Sequence, residues 1–317
     1  MSGLRTIRRS AVRCPAVLAL LLGTLVAVPT EGGAVSASAS ASASASRAAR
    51  TAAHQDCRAL LRFNPASFPR RPRIDNRFFP LVPGRNIVMS GTVLADDGTL
   101  HAHKIVTTVS SVTKVLDGVR TLVLFDRDYQ DGLLQESELA FEAQDERGTV
   151  WNVGEYPEEY EDGALAGAPS TWISGIDHAR AGVSMRAHPA VNTPAYLQGV
   201  APSVDFRDCG KVSQTGLRLR VAGHSYNDVL VIDEWAPLDP AGGHQLKYYA
   251  PRVGSIRVGA AGGASQEVLN LTSFTKLSKA ALAKVNAQVL KQDRRGYRIS
   301  PGAYGHTPRA VVTPDLT

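Results

Sequence analysis

Three Asp-Gly pairs, at 97–98, 117–118 and 131–132, punctuate runs rich in β-branched and aromatic residues, and no other feature of the 317-residue chain restricts its fold as much. Glycine after aspartate supplies the positive φ that a two-residue hairpin turn needs, so each pair predicts that the chain doubles straight back on itself. The stretch 119–156 is the clearest instance. Its three apolar-rich runs are separated by turns at Gln130-Asp131-Gly132 and Asp145-Glu146-Arg147-Gly148, the pattern of an antiparallel meander. Over 133–145 the side chains alternate, with Leu139, Phe141 and Ala143 on one face and Glu136, Glu138, Glu142 and Gln144 on the other. That period of two fits a strand with one core face and one wet, acidic face.

Similar signals recur at 86–94, 100–109 and 112–116 before this stretch, and at 204–212, 217–221, 227–235, 244–249, 252–258 and 266–274 after it. Roughly twelve strands without interleaved helices predict a mainly β fold, an antiparallel meander forming a curved sheet or barrel. One C-terminal helix is expected over 279–292, with Ser278 as N-cap, an apolar stripe of Ala281, Leu282, Val285 and Val289, and Lys291, Arg294 and Arg295 near its negative end. The implied organisation is a signal peptide and Ser-Ala segment (1–46), an Arg- and Pro-rich extended arm (47–78), a β-rich domain (79–275), an amphipathic helix (276–296) and a flexible tail (297–317).

The first residues have the layout of a secretory leader. Arg5, Arg8, Arg9 and Arg13 precede the apolar run PAVLALLLGTLVAV, which is too short to span a bilayer as a helix, and small-residue cleavage sites follow. A secreted, extracytoplasmic protein without a membrane span in its mature form is expected. Of three cysteines, Cys14 leaves with the leader, and the remaining Cys57 and Cys209 are expected to pair as a disulfide in an oxidising compartment. Charge is uneven. Between Asp126 and Asp162 there are thirteen Asp or Glu against two Arg, a net −11 in a chain of +6. The basic residues sit before and after this acidic middle, so the simplest expectation is mutual screening within one molecule, and no nucleic-acid partner is implied.

Chemistry-bearing candidates are few. A calcium loop at 126–138 fails by register: with Gly132 sixth, Glu138 is correctly twelfth, but Arg127 and Tyr129 occupy the first and third positions where carboxylates are required. Asp126, Asp128 and Asp131 remain as candidates for an incidental divalent-ion site. Paired carboxylates for hydrolysis would come from Glu155 with Asp145 or Glu234, and Glu155 stands out because alternation places it beside Trp151 and Val153, where desolvation would raise its pKa. The histidines form no ligand signature, and no nucleophile elbow, zincin helix, phosphate loop or dinucleotide fingerprint occurs, so no cofactor is expected. Trp151, Trp235, Tyr248 and Tyr249 combine apolar area with a hydrogen-bonding tip and are candidates for a ligand-binding concavity.

The phrases DNRFFPLVPG (75–84), AQDERGTVWNVGE (143–155), DVLVIDEWAPLDP (228–240) and KYYAPRVGSI (247–256) resemble a family of exported bacterial proteins of unknown function. The resemblance covers about 75–256 and implies one β-rich domain, with no activity or catalytic residue to carry over. The expected function is non-enzymatic binding of a small amphipathic ligand, lipid, sugar or envelope component; an extracellular hydrolase and a purely structural surface protein are the alternatives.

Overall fold

The computed structural model describes residues 57–95, 98–263 and 266–316; the expected leader and the start of the arm lie outside them. The described chain is a closed antiparallel barrel. Its strands are β1 (Arg85–Leu94), β2 (Leu100–Leu116), β3 (Val119–Gln130), β4 (Leu133–Gln144), β5 (Val150–Glu161), β6 (Arg180–Met185), β7 (Tyr196–Ala201), β8 (Phe206–Val221), β9 (His224–Trp235), β10 (His244–Ala250), β11 (Gly254–Ala261) and β12 (Gln266–Lys276). Each pairs with the next in sequence and β12 pairs with β1, so the expected meander is a twelve-strand up-and-down barrel. Closure removes the open edges an isolated meander would expose.

Turn chemistry explains the connectivity. Asp117-Gly118 and Asp131-Gly132 hold both central residues at positive φ (45° and 75°, 50° and 84°), the geometry whose twist matches a tight hairpin, and Ala222-Gly223 adopts it without an aspartate (45° and 86°). Call the end carrying the β3–β4 turn the top and the end carrying the β4–β5 turn the bottom.

Cross-strand partners share a face of the sheet, and the two faces differ. Outward-facing Val123, Phe125, Leu139, Phe141, Ala143, Trp151, Val153 and Tyr156 form the largest apolar cluster. It is covered from outside by Phe63 and Phe68 of the arm, by helix α1 (Lys279–Ile299) and by the short helix α2 (Pro301–Tyr304). The expected N-cap is present, with Ser278 accepting from the Ala281 N–H. The helix buries Leu282 and Val289 from the expected stripe, yet Asn286, Gln292 and Asp293 are buried with them. The segment expected as a flexible tail lies along the barrel: Tyr304 is fully buried, and the strand Val311–Val312 pairs with β2. No helix among the described residues is long and apolar enough to cross a membrane.

The arm also closes the bottom. Ile74, Phe78 and Leu81 pack against Leu122, Leu124, Val150, Leu230, Ile232 and Tyr249 inside the barrel. Asn76 fixes the entry, donating from Nδ2 to the carbonyls of Gly148 and Arg186 at the bottom rim. Cys57 and Cys209 are disulfide-bonded as expected, with Cα atoms 5.7 Å apart, and the bond ties the arm to β8 across a sequence separation of 152. Such long-range closure removes entropy chiefly from the unfolded chain. Replacing both cysteines by alanine is expected to lower the unfolding free energy by about 2–4 kcal/mol, read from guanidinium midpoints; an unchanged midpoint would show the bond to be idle.

Candidate functional site: an acidic cup in the barrel

The upper half of the lumen is lined by carboxylates. On β3, alternation turns Leu122, Leu124, Asp126 and Asp128 inward, the leucines onto the apolar floor and the aspartates above it. Asp126 pairs across with Glu138 and Asp128 with Glu136, which in turn lies opposite Glu159 on β5. Lower on β4 and β5 come Glu142 and Glu155, and from β8 and β9 come Asp208 and Glu234. Asp126, Glu136, Asp208 and Glu234 keep partial exposure, whereas Glu138, Glu142 and Glu155 are buried, so the cup is open to water at the top and closed below.

Several of these groups are satisfied. Glu234 takes the Lys247 ammonium at 2.6 Å and a Gln198 amide hydrogen bond at 3.0 Å. His103 lies between Asp128 (2.5 Å) and Glu267 (2.8 Å); burial alone would depress its pKa, but the two carboxylates override it and raise it to about 10. Glu155 accepts from Asn152 Nδ2 (2.5 Å) and Trp172 Nε1 (3.0 Å), and Glu142 from the Ser184 hydroxyl (2.8 Å).

Others are not. The side chains of Glu136, Glu138 and Asp208 have no hydrogen-bond or ion-pair partner among the described residues, and the buried Oδ1 of Asp126 lacks one as well. Desolvation and the mutual field of the cluster make ionisation unfavourable. Glu136 is pushed up to about 8 by burial and then by Asp128 and Glu155. Glu142 reaches about 8 and Asp126 about 6, burial being the main cause for both. Burial also raises Glu138 and Asp208 well above the carboxylate range, with Glu155 adding repulsion, and raises Glu155 against its two hydrogen bonds. On β7 the Tyr196 hydroxyl, in a side chain 1% exposed, has no partner and lies in the field of Glu234, Tyr249, Arg186 and Lys247.

The residues singled out from sequence are distributed unevenly. Glu155 and Glu234 both line the cup, and Asp208 feels the field of each. Asp145 does not join them: it folds the β4–β5 turn, accepting from the Arg147 and Thr149 N–H groups and from Trp151 Nε1, each at 3.0 Å. Asp126 and Asp128 face the cup, while exposed Asp131 is held in the rim turn by His101 and the Ala102 N–H. Among the described residues no group of three or more His, Cys, Asp or Glu is placed to hold a metal ion. The four aromatics do not share one concavity. Trp151 lies under Phe63 on the outer face, Trp235 packs against the disulfide, Tyr248 carries Arg257 over its ring, and Tyr249 belongs to the apolar floor. Sequence reasoning missed Asp208 and Lys247 as lumen residues, and it placed Glu136, Glu138 and Glu142 on a solvent face rather than inside.

No family model matches the chain, and no curated protein matches it in sequence. Among solved structures, the crystal structure of a "putative exported protein with YmcC-like fold" from Bacteroides fragilis NCTC 9343 is similar at 14% identity, over 63% of this chain and 100% of that one, with a TM-score of 0.37. That likeness is too loose to bear on the chemistry of the cup. The barrel architecture and the Cys57–Cys209 bond agree with a β-rich protein of an oxidising, extracytoplasmic compartment.

Proposed function

We propose that the protein is an exported, non-enzymatic binding barrel whose cup receives a small organic cation bearing several N–H donors. The observation that carries this reading is the set of lumen carboxyls that accept no hydrogen bond and pair with no cation among the described residues, Glu136, Glu138 and Asp208. Buried polar groups are normally satisfied, and charge-assisted hydrogen bonds from an ammonium would satisfy these. Among the described residues no group of three or more His, Cys, Asp or Glu is placed to hold a metal ion, which favours separate N–H groups on one organic ligand over one chelated ion.

Binding requires the carboxyls to ionise, so the cation displaces protons and affinity rises as pH increases from about 6 to about 8. Titration calorimetry with spermidine should show this trend, with proton release read from buffers of different ionisation enthalpy. Glu136→Gln/Glu138→Gln should weaken binding at least ~10-fold. Magnesium binding as tightly as spermidine would reduce the cup to a counter-ion reservoir and overturn the proposal, as would no binding of spermidine at either pH. The second reading, hydrolysis by a protonated Glu155 opposite Glu234 held by Lys247, is favoured by the raised Glu155 and the ion pair.

A further inference from the structure

The outer face of α1 is a second charged surface, of opposite sign and remote from the cup. Leu282, Asn286, Val289 and Asp293 face the barrel. With 3.6 residues per turn, the direction diametrically opposite falls on Lys284, Lys291 and Arg298, each seven residues from the next, with Arg294 on their flank. All four are exposed. The helix contains one acidic residue, Asp293, and it is buried against Lys114, so nothing on the helix offsets this row. Beside it the closing strand adds Val312, 42% exposed and opposite Val112 on the outer face. That strand and α1 both pack on β2, and Ala310 donates its N–H to Asp293.

We infer that this face docks the barrel on an anionic phospholipid surface, independently of what the cup binds. From Lys284 to Arg298 the row runs about 21 Å along a rigid helix axis, presenting its charges to a plane. Each basic residue near an anionic leaflet strengthens binding, and the exposed Val312 is rewarded at the boundary between headgroups and acyl chains. A soluble polyanion would match the charge but offer nothing to Val312. Surface attachment by charge with a shallow apolar contact is reversible and weakened by salt.

Co-sedimentation of the purified protein with vesicles of mixed phosphatidylglycerol and phosphatidylcholine, against phosphatidylcholine alone, tests the inference. The expected result is partitioning onto the anionic vesicles only, abolished in about 0.5 M salt. Lys284→Gln/Lys291→Gln/Arg294→Gln should bind about 100-fold more weakly, and Val312→Ser about threefold more weakly. These positions are exposed, so an unchanged near-ultraviolet spectrum will confirm that the fold is intact. Equal binding to both kinds of vesicle, wild-type binding by the triple variant, or capture by dextran sulfate with no vesicle binding would each overturn it.

Discussion

Glu136→Gln/Glu138→Gln makes the protein more stable at about pH 8, with a melting temperature roughly 5 °C or more above wild type, and nearly as stable as wild type at about pH 5. Neither side chain has a hydrogen bond to lose, and both sit in the repulsive field of the cluster. The direction follows from linkage. In the folded lumen these carboxyls hold their protons up to about 8 for Glu136 and well above the usual carboxylate range for Glu138, whereas in the unfolded chain they release them near the ordinary carboxylate value of 4.5. Their contribution to stability is therefore complete below that value and drains away as pH rises through the folded pKa. Glu142, at about 8, and Asp126, at about 6, drain in the same window, each on the order of a few kcal/mol. His103 acts above it, its stabilisation being present below its ordinary value of 6.5 and lost toward about 10.

Wild-type melting temperature should thus fall steadily from about pH 5 to about pH 8, and the double glutamine variant should fall less. Scanning calorimetry across that range decides it. A wild-type curve that is flat or rising would mean that the lumen carboxyls are paired in solution. Spermidine should lift the wild-type curve most at the alkaline end, where the cup is most nearly ionised and least stable on its own. A fold that places unpaired acids above an apolar floor forgoes stability as these acids ionise.

Much of this fold could be read from the residues, because turn chemistry and alternation are local. The Asp117-Gly118 and Asp131-Gly132 turns, the N-cap at Ser278 and the Cys57–Cys209 pair are present as expected, while Asp97 of the 97–98 pair lies outside the described residues. The strand total agrees, but 100–109 with 112–116 and 204–212 with 217–221 each form one strand, and β6 and β7 are additional to those expected. The alternation along 133–145 was legible too, but its sense was not. Leu139 and Phe141 are buried, yet on the outside of the barrel, beneath the arm and helix, while Glu136, Glu138 and Glu142 point into the lumen. Periodicity tells which residues share a face; it cannot tell which face of a closed sheet is inside. What decides the matter is long-range, namely the covering of the outer apolar face by Phe63, Phe68, α1 and Tyr304. Asp208 and Lys247 were unreadable for the same reason, since only closure of the barrel carries β8 and β10 to the side opposite Glu155. The aromatics misled because Trp and Tyr serve as core anchors as readily as they serve ligands.

Lys114→Met should lose about 3–5 kcal/mol and free the C-terminal segment. Lys114 lies on the outer face of β2 and its side chain has no exposure. Its ammonium donates to Asp293 Oδ1 (2.8 Å), the Tyr297 hydroxyl (2.9 Å) and the Pro308 carbonyl (2.8 Å), and it stands 4.4 Å from the centre of the Tyr304 ring. One cation therefore joins a strand, the main helix, the short helix and the chain beyond it. Methionine matches the volume but leaves the Asp293 carboxylate buried with the Ala310 N–H alone at 3.2 Å, and an uncompensated buried charge is among the largest single-residue penalties. Lys114→Met/Asp293→Leu removes both charges and should recover much of the loss, because the pair is costly to break but not to replace. Urea midpoints measure the energies, and limited trypsinolysis at Arg309 reports release of the segment. Equal midpoints for wild type and Lys114→Met, or a double variant no more stable than the single one, would show that packing of Tyr304 and Val289, rather than this ion, holds the helix to the barrel.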